Sequence, residues 1–225
     1  MRFPGRSMRP LLWLAPGLLP GTAALACADP PERAEFAIHH ETYGEVGRHV
    51  IDFSCEGAHL VVETTIEGEV KVLMVPLFKR DGTYREVWDG NRLIAFDSHI
   101  VDNGEVYEVS ARATVDHTVI NGRRGRIEAP LTIVSNHPWN HAVIERTLLF
   151  DTQRGRLQKV QVTRIGTGTI TVAGSEVQAQ TYRMTGDLER ELWYDHAGNW
   201  LQSRLEHDGA KITLTRRSPA VRAGL

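Results

Sequence analysis

Apolar and polar residues alternate along most of this chain, and short turn-forming pairs interrupt the alternation. Between Glu105 and Asp116, Tyr107, Val109, Ala111, Ala113 and Val115 share one face, and Glu108, Ser110, Arg112, Thr114 and Asp116 share the other. A period of two belongs to a strand with one wet face, because successive side chains point to opposite sides. Leu60, Val62, Thr64 and Ile66 repeat the pattern, as do Ile212 and Leu214. Val70 to Phe78 is apolar on both faces and predicts a central or covered strand, with Pro76 at a bulge or strand end. The turn signals are Asp81-Gly82, Asp89-Gly90-Asn91, Asn103-Gly104, Asn121-Gly122, Arg154-Gly155, Gly174-Ser175, Gly186-Asp187, Gly198-Asn199 and Asp208-Gly209. Asn-Gly and Asp-Gly suit two-residue hairpin loops, whose central positions both need φ > 0. Counting turns gives roughly nine to eleven antiparallel strands. The predicted fold is mainly β: a single curved antiparallel meander forming an open or half-closed barrel, with at most one or two short helices.

One stretch breaks the rhythm. Ala129 to Asn140 carries two prolines and ends in Ser135-Asn136-His137-Pro138-Trp139-Asn140. Trp139, Val143, Thr147 and Phe150 then follow a weak helical stripe, so one short helix across the sheet is expected, with a strand from Ile144 to Phe150 as its competitor. No linker or low-complexity segment divides the chain. It reads as one domain over 29–225, ordered over roughly 36–217, and its short connections argue against parallel βαβ units.

The N-terminus is a different chemical object. Arg2, Arg6 and Arg9 precede a short apolar run from Leu11 to Leu19, and small residues from Ala23 to Ala28 follow. That is the layout of a secretory signal peptide over 1–28, and the run is too short to span a bilayer. Cleavage after Ala26 or after Ala28 both fit, and a periplasmic location is expected. An outer-membrane lipoprotein acylated at Cys27 is the alternative, although Ala24-Leu25-Ala26 makes a poor lipobox. With 225 residues and a net charge of −2, the chain carries no basic excess that would point to nucleic acid. Nor has it any transmembrane span beyond the leader. Its two cysteines leave two readings open: a free, half-buried Cys55, which is favoured, or a Cys27–Cys55 bridge in an oxidising compartment.

Gly44-Glu45-Val46-Gly47-Arg48-His49-Val50-Ile51-Asp52-Phe53, Glu86-Val87-Trp88-Asp89-Gly90-Asn91-Arg92-Leu93, Trp139-Asn140, Asp151-Thr152-Gln153-Arg154-Gly155 and Glu191-Leu192-Trp193-Tyr194-Asp195 occur in that order. As an ordered set they resemble a family of exported bacterial proteins catalogued as a domain of unknown function. The resemblance runs from about Phe36 to Arg217 and implies an exported, β-rich architecture without any established activity. At the level of fold alone, the chain is distantly similar to the open half-barrels of periplasmic lipoprotein carriers.

Candidate chemistry is sparse. His137 and His141 are four apart, but Pro138 lies between them and no metalloprotease motif follows, so no metal site is expected. Asp116-His117, Asp195-His196 and His207-Asp208 read as turn chemistry rather than acid–base pairs. No catalytic or cofactor motif is present, which predicts a non-enzymatic protein without a cofactor. Arg112, Arg164, Arg183, Arg190 and Arg204 lie in strand-like runs. Solvated pairing with cross-strand acids is the simple reading of them, and a basic rim for an anionic headgroup the sharper one. Trp88, Trp139, Trp193 and Trp200 belong to core or edge packing, or to the mouth of a concave apolar face. Trp139, His137, Asn140, Trp88 and Trp193 are therefore the candidate ligand-binding residues, with Trp139 as a core lid or a gate. Two functions follow. The first is a non-catalytic periplasmic carrier of a lipid or other apolar molecule; the second is an envelope interaction or assembly protein without a small-molecule pocket.

Overall fold

The computed structural model describes residues 27, 30–73, 75–207 and 209–217. The leader apart from Cys27, and Asp208 of the last turn signal, lie outside the described residues. Strands β1 (Ala34–His40), β2 (Gly44–Glu56), β3 (His59–Val72), β4 (Val75–Asp89), β5 (Arg92–Asp102), β6 (Glu105–Ala113), β7 (Thr118–Gly122) and β8 (Gly125–Ala129) run as one antiparallel meander. A short β9 (Val134–Ser135) and a 3-10 helix (His141–Glu145) follow. The second meander comprises β10 (Leu148–Phe150), β11 (Leu157–Val172), β12 (Ser175–Gly186), β13 (Arg190–Tyr194), β14 (Trp200–His207) and β15 (Ala210–Arg216). Strand β15 pairs with β1, so all fifteen strands form one curled sheet whose edges, β8 and β9, are not paired with each other. The barrel is open.

Several local expectations need correction. Fifteen strands exceed the nine to eleven read from turns, because β7 to β10 are only two to five residues long. Val70 to Phe78 is a hairpin tip, not a central strand: Val72 faces Val75 across a turn with no Gly or Pro. Asp81-Gly82 lies inside β4, whereas Asn121-Gly122 ends β7 at the hairpin to β8, whose two-residue loop is Arg123-Arg124. Asn103-Gly104 does form the two-residue loop its chemistry suits, with φ of 51° and 85°. The 129–150 stretch contains both the short helix and a short strand, and β9 and β10 make a parallel pair. The connection over 136–147, which contains the 3-10 helix, carries the chain back so that both strands run in the same direction.

The interior is filled unevenly, and this places the site. Ile133, Val134, Val143, Leu149 and Phe150 are each at most 2% exposed and pack inside the curl, with Phe150 edge-on to Phe96 at 5.0 Å. Each such burial removes a side chain from water for about 1.5–3 kcal/mol. The loop after β10 fastens this insert to the first meander. Ser98 Oγ donates to the Thr152 carbonyl at 2.7 Å, Gln153 Nε2 donates to Asp102 Oδ2 at 3.2 Å, and Arg80 Nη2 donates to Gln153 Oε1 at 3.1 Å. Gly122 lies against the same loop, so close that a Cβ there would stand 2.5 Å from the Arg154 carbonyl oxygen. Cys55 of β2 forms a disulfide with Cys27, and the favoured free Cys55 gives way to the bridged reading.

Candidate binding cavity

The part of the curl that the insert leaves unfilled is a cavity of about 820 Å³, within the range of small-molecule sites. Ile38 of β1, Val46 of β2, Ile66 of β3, Phe78 of β4, Leu205 of β14 and Leu214 of β15 give it apolar walls. They reach it by strand parity, since inner-face positions recur every second residue. Half-exposed Tyr43 and exposed Leu77 stand at its rim.

Its deep end is polar. His49 and His137, both 4% exposed, bring their Nε2 atoms within 2.8 Å of each other. One of these nitrogens must carry the proton and the other accept it, so the two rings cannot both be protonated there. Burial, followed by the neighbouring His137, Arg80 and Arg190, holds the His49 pKa well below 6.5. The second nitrogen of His137 lies 3.6 Å from Glu86 Oε1, an electrostatic contact too long for a hydrogen bond. Glu86 is 1% exposed and accepts from Trp88 Nε1 at 2.9 Å, Trp139 Nε1 at 3.1 Å and Ser135 Oγ at 3.1 Å. Those three donors make burial of the carboxylate tolerable. Tyr194, also at 0% exposure, donates its hydroxyl to the Pro138 carbonyl, which fixes the insert above this cluster. Its phenol pKa is driven far up by burial.

The family model of a domain of unknown function, DUF6134, matches residues 36–217. The chain belongs to the DUF6134 family. No curated protein matches it. Among solved structures, a β-barrel-like protein of domain of unknown function DUF1849 from Brucella abortus superposes with a TM-score of 0.60 at 13% identity, covering 84% of this chain and 95% of that one. That likeness concerns the fold alone.

Within this DUF6134 fold the five candidate residues separate. His137 lines the large cavity. Trp88 and Trp139 meet edge-to-face at 5.6 Å, joined through Glu86, behind the cavity rather than on its wall. Trp139 instead borders a void of about 120 Å³ with Phe53 and Trp200. Asn140 caps the 3-10 helix, accepting from the Ala142 backbone N–H at 3.0 Å. Trp193 lies on the other face of β13, in a small cluster with Leu201, Val172 and Ala179. The sequence reading missed His49, Glu86 and Arg80 as site residues and named Arg190 only among the strand arginines of a candidate basic rim, although parity carried a signal. Glu86 shares its face with Tyr84 and Trp88, His49 with Ile51 and Phe53, and Arg190 with Leu192 and Tyr194.

The remaining pairs are turn or surface chemistry. Asp195 accepts backbone N–H bonds from Ala197 and Asn199, and His117 bonds Asp116 on the surface. His137 and His141 do not converge, since His141 packs edge-on to Tyr194 at 4.8 Å. Among the described residues no group of three His, Cys, Asp or Glu side chains could hold a metal, and no helix is long and apolar enough to cross a membrane.

Proposed function

We propose that this protein is exported to the periplasm and there holds a lipid or other apolar molecule without transforming it. The observation that carries the reading is the open cavity of about 820 Å³ with apolar walls from both meanders. A chain folded only for its own stability would collapse such a volume, because unfilled apolar space costs packing energy. Binding without chemistry fits how the deep polar groups are occupied. Ser135 gives its hydroxyl to Glu86, and the two histidines face each other through their Nε2 atoms. Export is supported by the arginine-led leader and by the Cys27–Cys55 bridge, which suits an oxidising compartment. The bridge also favours cleavage after Ala26 over cleavage after Ala28, and it occupies the thiol that lipidation of Cys27 would use. The test is to isolate the protein from its own compartment, extract it with organic solvent and identify the extract by mass spectrometry. A stoichiometric apolar compound is expected. An extract no richer than that of a control protein would overturn the carrier reading and favour the envelope interaction protein.

A further inference from the structure

Four arginines line the cavity, and three of them have partners. Arg80 pairs with Asp102 at 3.4 Å, Arg156 with Asp151 at 3.2 Å, and Arg154 lies 5.7 Å from the centre of the Tyr107 ring. Arg190 differs. Its Nη1 donates to the Asn136 carbonyl at 3.1 Å, its Nε is buried without a partner, and no carboxylate comes within ion-pair distance among the described residues. Asp151, the acid that acts on it most, is already committed to Arg156 and to the backbone N–H groups of Gln153 and Arg154. The other acids of the lining, Asp187, Glu189 and Glu206, are exposed. A guanidinium does not lose its charge at any ordinary pH, even where burial disfavours it. Arg190 therefore presents a guanidinium without a direct ion pair at the polar end of the cavity, with apolar walls leading away from it, while the buried Glu86 is held by three neutral donors behind the wall. Buried charges in proteins are paired, so an unpaired one facing a cavity implies an anion from outside.

We propose that the cavity takes an acidic amphiphile, a single alkyl chain ending in a carboxylate or phosphate, with the head on Arg190 and the chain along Ile66, Phe78, Leu205 and Leu214. The assignment rests on the carrier reading and specifies its ligand class. Asn136, Gln158 and Ser203, which also line the cavity, supply further polar atoms for the head. A neutral lipid would leave the Arg190 charge unanswered, and a bare anion would leave the apolar walls unfilled.

The probes are dodecanoate, dodecyl phosphate, dodecanol, dodecyltrimethylammonium, acetate and inorganic phosphate, titrated calorimetrically into solvent-extracted, refolded protein and into Arg190→Gln. Dodecanoate or dodecyl phosphate should bind about tenfold or more tightly than dodecanol, the factor expected of a charge-assisted hydrogen bond. Dodecyltrimethylammonium, acetate and phosphate should bind weakest. Arg190→Gln should remove the preference for the acid, bringing the dodecanoate and dodecanol affinities together. Should that variant fail to fold, the wild-type headgroup series decides alone. Equal affinity for dodecanol and dodecanoate overturns the headgroup assignment and leaves the carrier standing. Tight binding of acetate or phosphate without a chain overturns the amphiphile. Binding of none of the six overturns both.

Discussion

Glu86 is the residue on which the interior's polar geometry depends, because one buried carboxylate orients two indoles and a serine hydroxyl. Trp139→Phe removes one of the three donors while keeping an aromatic ring against Phe53. It should lower stability by about 1.5–3 kcal/mol in urea denaturation, the range for a hydrogen bond to a charged group. Ligand content should not change, because Trp139 is behind the cavity, and a loss of ligand at unchanged stability would restore it as a gate. His49 adds a pH dependence of definite sign. Its folded pKa is held well below 6.5, so the unfolded chain takes up the proton first as pH falls. The stability it contributes is whole above pH 6.5 and is lost as the pH drops below that value towards the folded pKa. Urea midpoints measured at ~pH 7.5 and ~pH 5.5 should therefore diverge in the wild type and converge in His49→Gln. Equal divergence in both would remove His49 as the cause. The individual residue types were plain in the sequence, but their convergence was not. His49 and His137 meet only because the insert folds back into the curl, and no local pattern encodes that return.

Elements were legible in proportion to their regularity. Tyr107, Val109 and Ala111 are buried as the alternation of β6 predicts, whereas Val115, next in the series, stands 94% exposed beyond the strand's end. A glycine in a turn signal can also serve packing. Gly122 is the clear instance, since its missing side chain admits the Arg154 and Gly155 backbone. Gly122→Ala should cost about 1–3 kcal/mol, the usual penalty of forced overpacking. Gly168→Ala in β11, where a Cβ meets nothing within 4 Å, should be neutral or slightly stabilising. Comparable losses at both sites would show that the loop does not fasten the two meanders there. The disulfide acts on the N-terminal strands in the same way as a staple. It closes a separation of 28 residues, so Cys55→Ser should lower stability by roughly 3 kcal/mol through the unfolded chain's regained freedom. An unchanged melting temperature under reducing and oxidising conditions would contradict a structural role for the bridge.

At the scale of the whole molecule, two meanders joined through β1 and β15 wrap one insert, and the volume left over is the cavity. The curved, open sheet could be read from turn spacing and alternation. The cavity could not, because its size depends on how far the insert fills the curl. Gly68 offers a direct way to test that volume. It lies on the inner face of β3, lines the cavity, and has only the Val46 carbonyl, at 3.8 Å, near the position of a Cβ. A large side chain there enters ligand space and not the packed core. The decisive measurement is native mass spectrometry of wild type and Gly68→Trp, isolated side by side from the same cells, with circular dichroism to confirm equal folding. The account predicts a retained small molecule on the wild type and its loss from Gly68→Trp. A bare wild-type mass, or the same ligand on both, would contradict it.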